Sequence, residues 1–516
     1  MAETELKIVI DRETARDLWK RAAALGLAAA QPRPKTLRSI YFDAPGLPLS
    51  KAGIALRLRR DGRRWIQTAK AKGALHSGLS RVEEDEAPAP GGRLDPARIA
   101  DEGLRADIEA VTAVAPLAPV CETRIRRAAG LIEGPGGLRA ELAVDDGEIV
   151  AGERAEPFRE AEIELKAGPV AGLFDVALRL FPEGGLRFSR LSKAARGLLL
   201  AAEGRIEPAP GPRNAAAIAL PREGTAEAAA QACLRECLGQ IADNMAFAAE
   251  HDAKEGPHQL RVGLRRLRSA LGLFAPAIGG AEADRLGEEA RWLAGEAGAL
   301  RDLDVLTEEI VAPAAKATPE EPGFAPLLAA LERRRVETRA HLRAALRSGR
   351  AQAFLLHLAR FVECRGWLDP SDLSQTERLA QPAPALADAA LERAWRRAAK
   401  RAKGLAALDI EARHDLRKAL KRLRYTIEFL ASLYGEKRVA VFVKRLKALQ
   451  DVFGALNDHA TAEATLAGRN APAEADAGAQ RAAGRVLGAG AAKAEADWAK
   501  AAAHWRALAK ERPFWG

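Results

Sequence analysis

The first residues with chemical potential are two carboxylates and an amine that alternate along the chain at its start. Glu3, Glu5 and Lys7 are separated by single residues, so in a β-strand their side chains would lie on one face of the sheet. Like charges side by side on a strand are destabilising unless water or a ligand compensates them. The spacing therefore predicts either a solvated strand face or one wall of a binding site.

The same alternation recurs in five further segments of the first two hundred residues. The charged or polar members that share a face are Arg57 and Arg59; Thr68, Lys70 and Lys72; Glu83 and Asp85; Arg124 and Arg126; and Glu160, Glu162 and Glu164. One such strand would usually face water, but six with apolar residues between the charges predict a closed sheet with a charged interior. Carboxylates of this kind hold Mg²⁺ or Mn²⁺, and Arg and Lys bind phosphate oxygens. A divalent metal there would neutralise leaving-group charge and activate a water molecule.

The second half of the chain contains a different candidate site, made of two basic helical stripes. His258, Arg261, Arg265 and Arg268 recur at helical spacing, as do His414, Arg417, Lys421 and Arg424. Aligned cations without interleaved acids favour an extended polyanion as ligand. A solvated face paired with acids on neighbouring helices is the alternative, and the duplicated histidine favours binding. No second His or Cys lies at metal-ligand spacing from either histidine, so metal binding there is disfavoured, whereas pH-dependent anion binding is conceivable.

Two kinds of secondary structure must position these residues. Strand-like segments at 3–10, 36–43, 53–60, 64–71, 79–86, 121–128, 139–145 and 158–166, with helical patterns at 12–26 and 169–181, predict an α+β chain that begins with an antiparallel eight-stranded barrel. The proline-rich stretch 205–218 is predicted to be a linker between a domain at 1–204 and one at 219–516. The latter has the patterns of an all-α bundle.

The helical half also repeats itself. The segments that begin at His258 and His414 resemble each other, and so do those around Arg301 and Asn457, with an offset of 156 residues in both cases. Two landmarks at one offset predict two copies of a helical unit, at about 219–375 and 376–516.

Composition limits the possible partners. The 516 residues carry a formal net charge of +10, which points to an anionic ligand. Four cysteines are too few for a disulfide framework, and Cys233 and Cys237 are interpreted as core residues rather than as a metal pair. Neither a signal segment nor a long apolar run is present, so we expect a cytoplasmic protein that does not enter the membrane.

The first half resembles the CYTH, or triphosphate tunnel metalloenzyme, superfamily. The motifs that carry the resemblance are Glu3-Thr4-Glu5-Leu6-Lys7, Tyr41-Phe42-Asp43, Leu56-Arg57-Leu58-Arg59, Trp65 to Lys70, Arg81-Val82-Glu83, Thr123 to Arg126, Val144 to Gly147, Glu160 to Leu165, and Ser192 to Gly197. The resemblance implies metal ligation by Glu3, Glu5, Glu162 and Glu164, with help from Asp145 and Glu83. It implies triphosphate binding by Lys7, Arg57, Arg59, Lys70, Arg124, Arg126 and Lys193. Glu3, Glu5, Lys7 and Lys70 would be the catalytic residues. Asp85 departs from the Glu that the family often has, and Lys70 is preferred to Lys72.

The second half resembles the CHAD domain, whose His- and Arg-rich helices bind inorganic polyphosphate. The resemblance adds Arg301 and Lys447 to the eight stripe residues as expected polyphosphate contacts, and Asn457 stands where the second copy would have an arginine. The leading hypothesis is an Mg²⁺- or Mn²⁺-dependent inorganic triphosphatase with an attached polyphosphate-binding domain. A thiamine-triphosphatase, a nucleoside triphosphatase, a class IV-type adenylate cyclase and a non-catalytic polyphosphate-targeting protein are the alternatives. Sparse stacking aromatics make nucleic acid an unlikely partner, and the sequence leaves the oligomeric state open.

Overall fold

The computed structural model describes residues 2–29, 31–468, 471 and 476–515. Contacts between Cα atoms divide the chain into two compact units. One comprises 1–211 with 355–364, and the other comprises 212–354 with 365–516. The first unit holds all nine strands of the described chain, and the second is built from helices.

Nine strands form a single antiparallel sheet that closes on itself. They are β1 (Ala2–Val9), β2 (Lys35–Asp43), β3 (Ala55–Asp61), β4 (Arg64–His76), β5 (Leu79–Pro88), β6 (Ala118–Gly134), β7 (Leu138–Ala151), β8 (Arg154–Ala167) and the short β9 (Arg187–Phe188). Their order is β5-β4-β3-β2-β6-β7-β8-β1-β9, and β1 also pairs with β5. That extra pairing joins the two ends of the sheet, so the first eight strands make the closed barrel that the sequence predicts.

Alternation along β1 explains why the charged residues point inward. Leu6 and Ile8 are fully buried on the outside of the barrel. Helices that follow the barrel strands in sequence pack on the barrel. These helices are α1 (Arg12–Ala24), α2 (Pro48–Lys51), α3 (Glu102–Val114), α4 (Ala171–Leu180) and α5 (Lys193–Glu203). Since α4 packs on β1 from outside, the odd-numbered residues of β1 must face the interior. Helices α2, α3 and α5 are not among the sequence-predicted elements.

Helix α5 covers one end of the barrel. Ser192 caps its first turn and Gly204, with φ of 74°, ends it. Its Leu200 packs against a cluster of mostly inward-facing apolar side chains: Tyr41, Cys121, Ile125, Ile149, Ala151 and Phe158. The approach is so close that a Cβ added at Gly197 would lie 2.1 Å from the sulfur of Cys121. The interior is therefore apolar and filled at this end.

The opposite end is reached by following the inner face of β8. Side-chain exposure rises from 1% at Glu160 and 8% at Glu162 to 25% at Glu164 and 40% at Lys166. This end of the barrel is therefore in contact with solvent.

The second unit consists of long helices joined by short connections. The helices after α5 are α6 (Ala226–Glu250), α7 (Glu255–Ile278), α8 (Ala281–Asp304), α9 (Ala312–Ala317), α10 (Phe324–Leu346), α11 (Gly349–Glu363), α12 (Gln375–Ala380), α13 (Ala383–Arg401), α14 (Ile410–Leu430), α15 (Glu436–Leu466) and α16 (Ala477–Ala509). Residues 355–363 of α11 are the exception and belong to the first unit. Helix α7 packs against α6, α8 and α14, and α14 also contacts α13 and α15. The two basic stripes of the sequence lie on α7 and α14, which are therefore neighbours.

The apolar faces of these helices account for the remaining sequence features. Leu260, Leu264 and Leu267 of α7 are fully buried, as the stripe pattern requires. Cys233 and Cys237 of α6 are also fully buried, and burial raises the pKa of both thiols. In the described part of the chain, no helix has both the length and the apolar character needed to cross a membrane.

Candidate functional site

A polar cavity of about 500 Å³ occupies the barrel interior. Acidic and basic side chains line it together: Glu3, Glu5, Glu84, Glu86, Glu141, Glu162, Glu164, Lys7, Arg57, Arg59, Lys70, Arg127, Lys166, Arg190 and Lys193. They come from β1, β3, β4, β5, β6, β7, β8 and the start of α5. A closed barrel is what brings strands so distant in sequence around one space.

The acidic side of this cavity is organised around Lys7. Its Nζ lies 2.7 Å from Oε1 of Glu5 and 2.6 Å from Oε1 of Glu162. Burial raises the pKa of Glu5 to about 7, although Lys7 opposes the shift. Glu162 is equally buried, but Lys193, Lys7 and Arg127 overcome the burial and hold its pKa well below the usual range. Two carboxylates that share one lysine thus differ in how readily they take a proton.

The basic side consists of Lys70 and Arg57, which have carboxylate partners, and of Arg59. Lys70 contacts Glu3 and lies 3.1 Å from Glu84, and Arg57 lies 3.4 Å from Glu84. Arg59 donates to the Ser39 hydroxyl at 3.2 Å. Burial, and then repulsion by Arg57 and Arg127, lower the pKa of Arg59 to about 10. An anion between these guanidinium groups would relieve that repulsion.

Two cations tie the deep end of the cavity together. Arg127 donates through Nε and Nη2 to the two oxygens of Asp145, both at 2.7 Å, and also to Glu162. Lys193, at the start of α5, lies 2.9 Å from Asp145, 2.8 Å from Glu160 and 2.7 Å from Glu162. An ammonium group has three donors, and here carboxylates accept from all of them.

Lys193→Met should therefore lower stability more than a surface lysine would. The substitution keeps the length of the side chain but leaves three buried carboxylates without their shared cation, which costs about 3–5 kcal/mol when one partner of a buried pair is lost. The measurement is the free energy of unfolding of the barrel in urea. Lys166→Met removes one partly exposed pair and should cost less than about 1 kcal/mol. Equal losses in the two variants would contradict the buried network.

The second candidate site lies where α7 and α14 meet. Arg261 lies 2.6 Å from Asp302 of α8. The Nε atoms of Arg265 and Arg417 are buried without a hydrogen-bond partner in the described structure. Burial, then repulsion by Arg265 first among the neighbouring cations, lowers the pKa of Arg417. We call Arg261, Arg265, Arg417 and Lys421 the cationic cluster of the helical unit.

Comparison with known proteins decides the family of both units. The family model described as the CYTH domain matches residues 1–198, and the model described as the CHAD domain matches residues 232–467. The chain carries a CYTH domain followed by a CHAD domain.

Individual relatives resemble one or both parts. The inorganic triphosphatase of Haemophilus influenzae is 32% identical over 200 residues, which are 39% of this chain and 55% of that protein. The match thus spans about half the length of that relative. An uncharacterised protein of Mycobacterium tuberculosis is 28% identical over 485 residues, covering 89% of this chain and 86% of its own length. The crystal structure of the CHAD domain from the plant Ricinus communis is 31% identical with a TM-score of 0.50, covering 58% of this chain and 97% of that domain.

Most of the residues expected in the CYTH site lie together in its cavity. Glu3, Glu5, Lys7, Arg57, Arg59, Lys70, Glu162, Glu164 and Lys193 all line it. Asp145 is fully buried beside the cavity and is held by Arg127 and Lys193. The preference for Lys70 over Lys72 agrees with their positions, because Lys72 is 72% exposed.

Three expected residues lie on the outside of the CYTH barrel. Glu83 is 49% exposed and pairs with Lys72 at 3.0 Å. The cause is the register of β5: Val82 pairs with the inward-facing Glu3 and Glu84 pairs with Lys70, so Glu83 lies on the opposite face. The face predicted for this strand was therefore wrong, and Glu84 and Glu86 line the cavity instead.

Arg124 and Arg126 are also exposed, and this corrects the assignment of both to phosphate binding. Arg124 pairs with Glu122 at 2.6 Å and with Glu148 at 3.1 Å on the outer surface. The inner face of β6 carries Thr123, Ile125 and Arg127. Arg126 and Arg127 are adjacent, so one arginine would face inward whichever parity the strand had. The sequence therefore indicated an inward arginine on β6 but not which of the two it is.

The carboxylates of the CYTH cavity suit a hard divalent cation in their chemistry. Glu3, Glu5, Glu162 and Glu164 offer only oxygen donors, as Mg²⁺ and Mn²⁺ prefer. Within the described residues, however, no three acidic, His or Cys side chains are already gathered at metal-binding geometry. Each of the four instead contacts a lysine. A metal would therefore replace ammonium groups as their partner.

The residues expected to bind polyphosphate in the CHAD domain divide into three groups. The four residues of the cationic cluster are the first group, and His258, His414 and Arg301 are the second. His258 is half-buried near Arg301, Arg265 and Arg261, and His414 is exposed near Arg417. Arg301 pairs with Glu309 at 3.0 Å. The remaining three lie apart from the cationic cluster: Arg268 is near Arg291 and Arg422, Arg424 pairs with Glu428 at 2.7 Å, and Lys447 is exposed.

Proposed function

We propose that the CYTH domain hydrolyses inorganic triphosphate with Mg²⁺ or Mn²⁺, releasing pyrophosphate and orthophosphate. The observation that carries the proposal is the cavity itself, in which carboxylates on β1 and β8 face arginines and lysines on β3, β4 and β6. A metal-bound, highly charged phosphate chain needs both signs in one desolvated space. The relative from Haemophilus influenzae, whose name is inorganic triphosphatase, supports the same activity.

Each side of the cavity has a distinct part in this reaction. Glu3, Glu5, Glu162 and Glu164 would hold the divalent metal, which supplies charge neutralisation and an activated water molecule when bound. Arg57, Arg59 and Lys70 face them and would grip the phosphate oxygens that gain charge as the anhydride bond breaks. Lys7 and Arg127 keep Glu5 and Glu162 in place. Lys193 has no donor to spare for phosphate, so its proposed part is to hold Glu160 and Glu162.

An inorganic substrate fits this cavity better than a nucleotide or thiamine ester. Among the described residues that line it, Tyr41 is the only aromatic side chain. Trp65 lies elsewhere, where a Cβ on Gly92 would come within 3.0 Å of its ring, and Phe188 is buried outside the cavity. Neither Trp65 nor Phe188 is therefore placed in the lining, where it could stack on a base or a thiazole ring.

A substrate panel tests this assignment. The purified protein with Mg²⁺ or Mn²⁺ should release phosphate from tripolyphosphate at least about tenfold faster than from ATP or thiamine triphosphate. The reason is that the described lining, with Tyr41 as its one aromatic residue, offers little for a base or a thiazole ring to stack on. A factor of ten corresponds to about 1.4 kcal/mol. Faster turnover of either ester, or formation of cyclic AMP, would move the assignment to the corresponding alternative. Metal-dependent binding of tripolyphosphate without hydrolysis would indicate a non-catalytic module.

For the CHAD domain we propose binding of long-chain inorganic polyphosphate at the cationic cluster. The support is that α7 and α14 bring four cations together while two of their guanidinium Nε atoms lack a protein partner. Nucleic acid offers phosphates as well, so competition between polyphosphate and RNA over a salt series separates the two ligands. Preference for RNA at every salt concentration would contradict the proposal.

A further inference from the structure

Lys421 occupies the centre of the cationic cluster in the CHAD domain. It lies on α14 one turn beyond Arg417, and α14 packs against α7, whose Arg265 and Arg261 repel its charge. Asp458 of α15 is the one carboxylate among the principal influences on Lys421, and its effect is weaker than that of each of the three arginines. Asp302 of α8 is engaged by Arg261 at 2.6 Å. The half-buried amine thus lies among cations that are not balanced locally.

Repulsion among these cations is relieved at the lowest free-energy cost when the lysine loses its proton. A guanidinium group does not release its proton in proteins, whereas a lysine does so when it is buried among other cations. Burial first, then repulsion by Arg265, Arg417 and Arg261, lowers the pKa of Lys421 to about 7. In the free CHAD domain a large fraction of Lys421 is therefore neutral just above neutral pH.

The two sequence copies differ at this position. An offset of 156 residues places Lys421 opposite Arg265, which keeps its charge at every physiological pH. One stripe thus carries a permanent charge where the other carries a charge that can be switched. We propose that binding of polyphosphate at the cationic cluster is coupled to the uptake of one proton by Lys421, which makes the CHAD domain a pH-dependent polyanion receptor.

The inference rests on the proposed polyphosphate binding and adds its regulation. In the step, the neutral amine of Lys421 takes a proton from the buffer and becomes an ammonium group beside a phosphate oxygen. No other bond is made or broken. Because the free form must gain a proton, affinity falls as pH rises from about 7 toward the range in which the bound lysine would itself deprotonate.

Other titratable groups near the cluster must be separated from Lys421. His258 and His414 are the two histidines, and Asp302, Glu309, Glu255, Asp415 and Asp458 are the acids that influence members of the two stripes. Burial and then neighbouring cations lower the pKa of both histidines. At about pH 8.5 the histidines of the free protein are therefore neutral, and comparison with a Lys421→Arg variant isolates the proton that Lys421 gains.

The test is calorimetric titration of the full-length protein with polyphosphate at about pH 8.5, in buffers of different ionisation enthalpy and with EDTA to prevent hydrolysis. The wild-type protein should take up about one proton per cluster occupied, and its affinity should fall about tenfold per pH unit between about pH 8 and 9. Lys421→Arg places in α14 the residue that α7 already has. It should take up about one proton fewer and bind with little dependence on pH. Lys418→Arg is the matched control, because Lys418 is exposed on the same helix and pairs with Asp415.

The outcomes distinguish the inference from the proposed function beneath it. Equal proton uptake by the wild-type protein and Lys421→Arg, or binding by the wild-type protein without any uptake, would overturn the coupling while leaving polyphosphate binding intact. Absence of polyphosphate binding at any pH would overturn the proposed function of the CHAD domain and the inference together. Loss of uptake in Lys418→Arg as well would place the proton elsewhere on α14 and would also overturn the assignment to Lys421.

Discussion

Glu5→Gln is expected to reduce metal-dependent phosphate release from tripolyphosphate by about 10²–10³-fold, the range seen when one preorganised electrostatic contact to a transition state is removed. The substitution conserves size but removes a negative oxygen from the cavity beside Lys7 and Glu162. In the proposed reaction, both metal binding and the balance of charge around the phosphate chain would depend on that oxygen. The measurement is kcat and KM for tripolyphosphate with Mg²⁺ and with Mn²⁺.

Glu83→Gln is the control for this prediction. Both residues are glutamates in paired strands, but Glu83 is 49% exposed and its partner is Lys72 on the outer surface. Its activity should remain within about twofold of the wild-type value, because a surface pair contributes about 0–1 kcal/mol. Comparable losses in Glu83→Gln and Glu5→Gln would show that the cavity is not the site of the reaction.

Arg127→Ala is expected to lower the free energy of unfolding by about 3–5 kcal/mol. Arg127 binds both oxygens of Asp145 and reaches Glu162, and its side chain is only 16% exposed. Its removal leaves buried carboxylates that repel each other and have fewer donors. Hydrolysis should fall as well, since Glu162 loses the group that holds it. Equilibrium unfolding and kcat for tripolyphosphate provide the two measurements.

The neighbouring arginine serves as the comparison. Arg126 precedes Arg127 in β6 but is exposed, so Arg126→Ala should change stability by no more than about 0.5 kcal/mol and leave kcat unaltered. A larger loss in Arg126→Ala than in Arg127→Ala would mean that β6 has the opposite register in the barrel. The pair thus tests the assignment in which the sequence and the structure differ.

Much of the architecture could be predicted because the barrel has a simple sequence period. Regular alternation identified the strand of Glu5 and Lys7, and the apolar residues between them are buried outside as expected. The pattern fails where a strand carries acidic residues on both faces. In β5 the outward Glu83 and the inward Glu84 and Glu86 are all glutamates, so alternation alone does not say which face enters the cavity. The pairing of Val82 with Glu3 decides it, and that pairing exists only because the barrel closes.

In the helical unit, spacing on one helix identified the stripes but not which of their members meet. Arg261, Arg265, Arg417 and Lys421 lie together because α7 and α14 cross near these positions. Arg268 and Arg424 belong to the same stripes, yet they are near other side chains. The position at which two helices cross depends on the packing of their apolar faces, which one sequence does not specify. The two-copy organisation itself stays a prediction from the offset of 156 residues.

The packing of α5 on the barrel has a mechanical consequence for the proposed site. Ser192 and Lys193 stand where this helix begins and line the cavity, while Leu200 anchors the same helix on the apolar cluster. A shift of α5 would therefore move the Lys193 ammonium away from Asp145, Glu160 and Glu162 together. The apolar cluster thus acts as a rigid mount for the cation that the acidic wall shares.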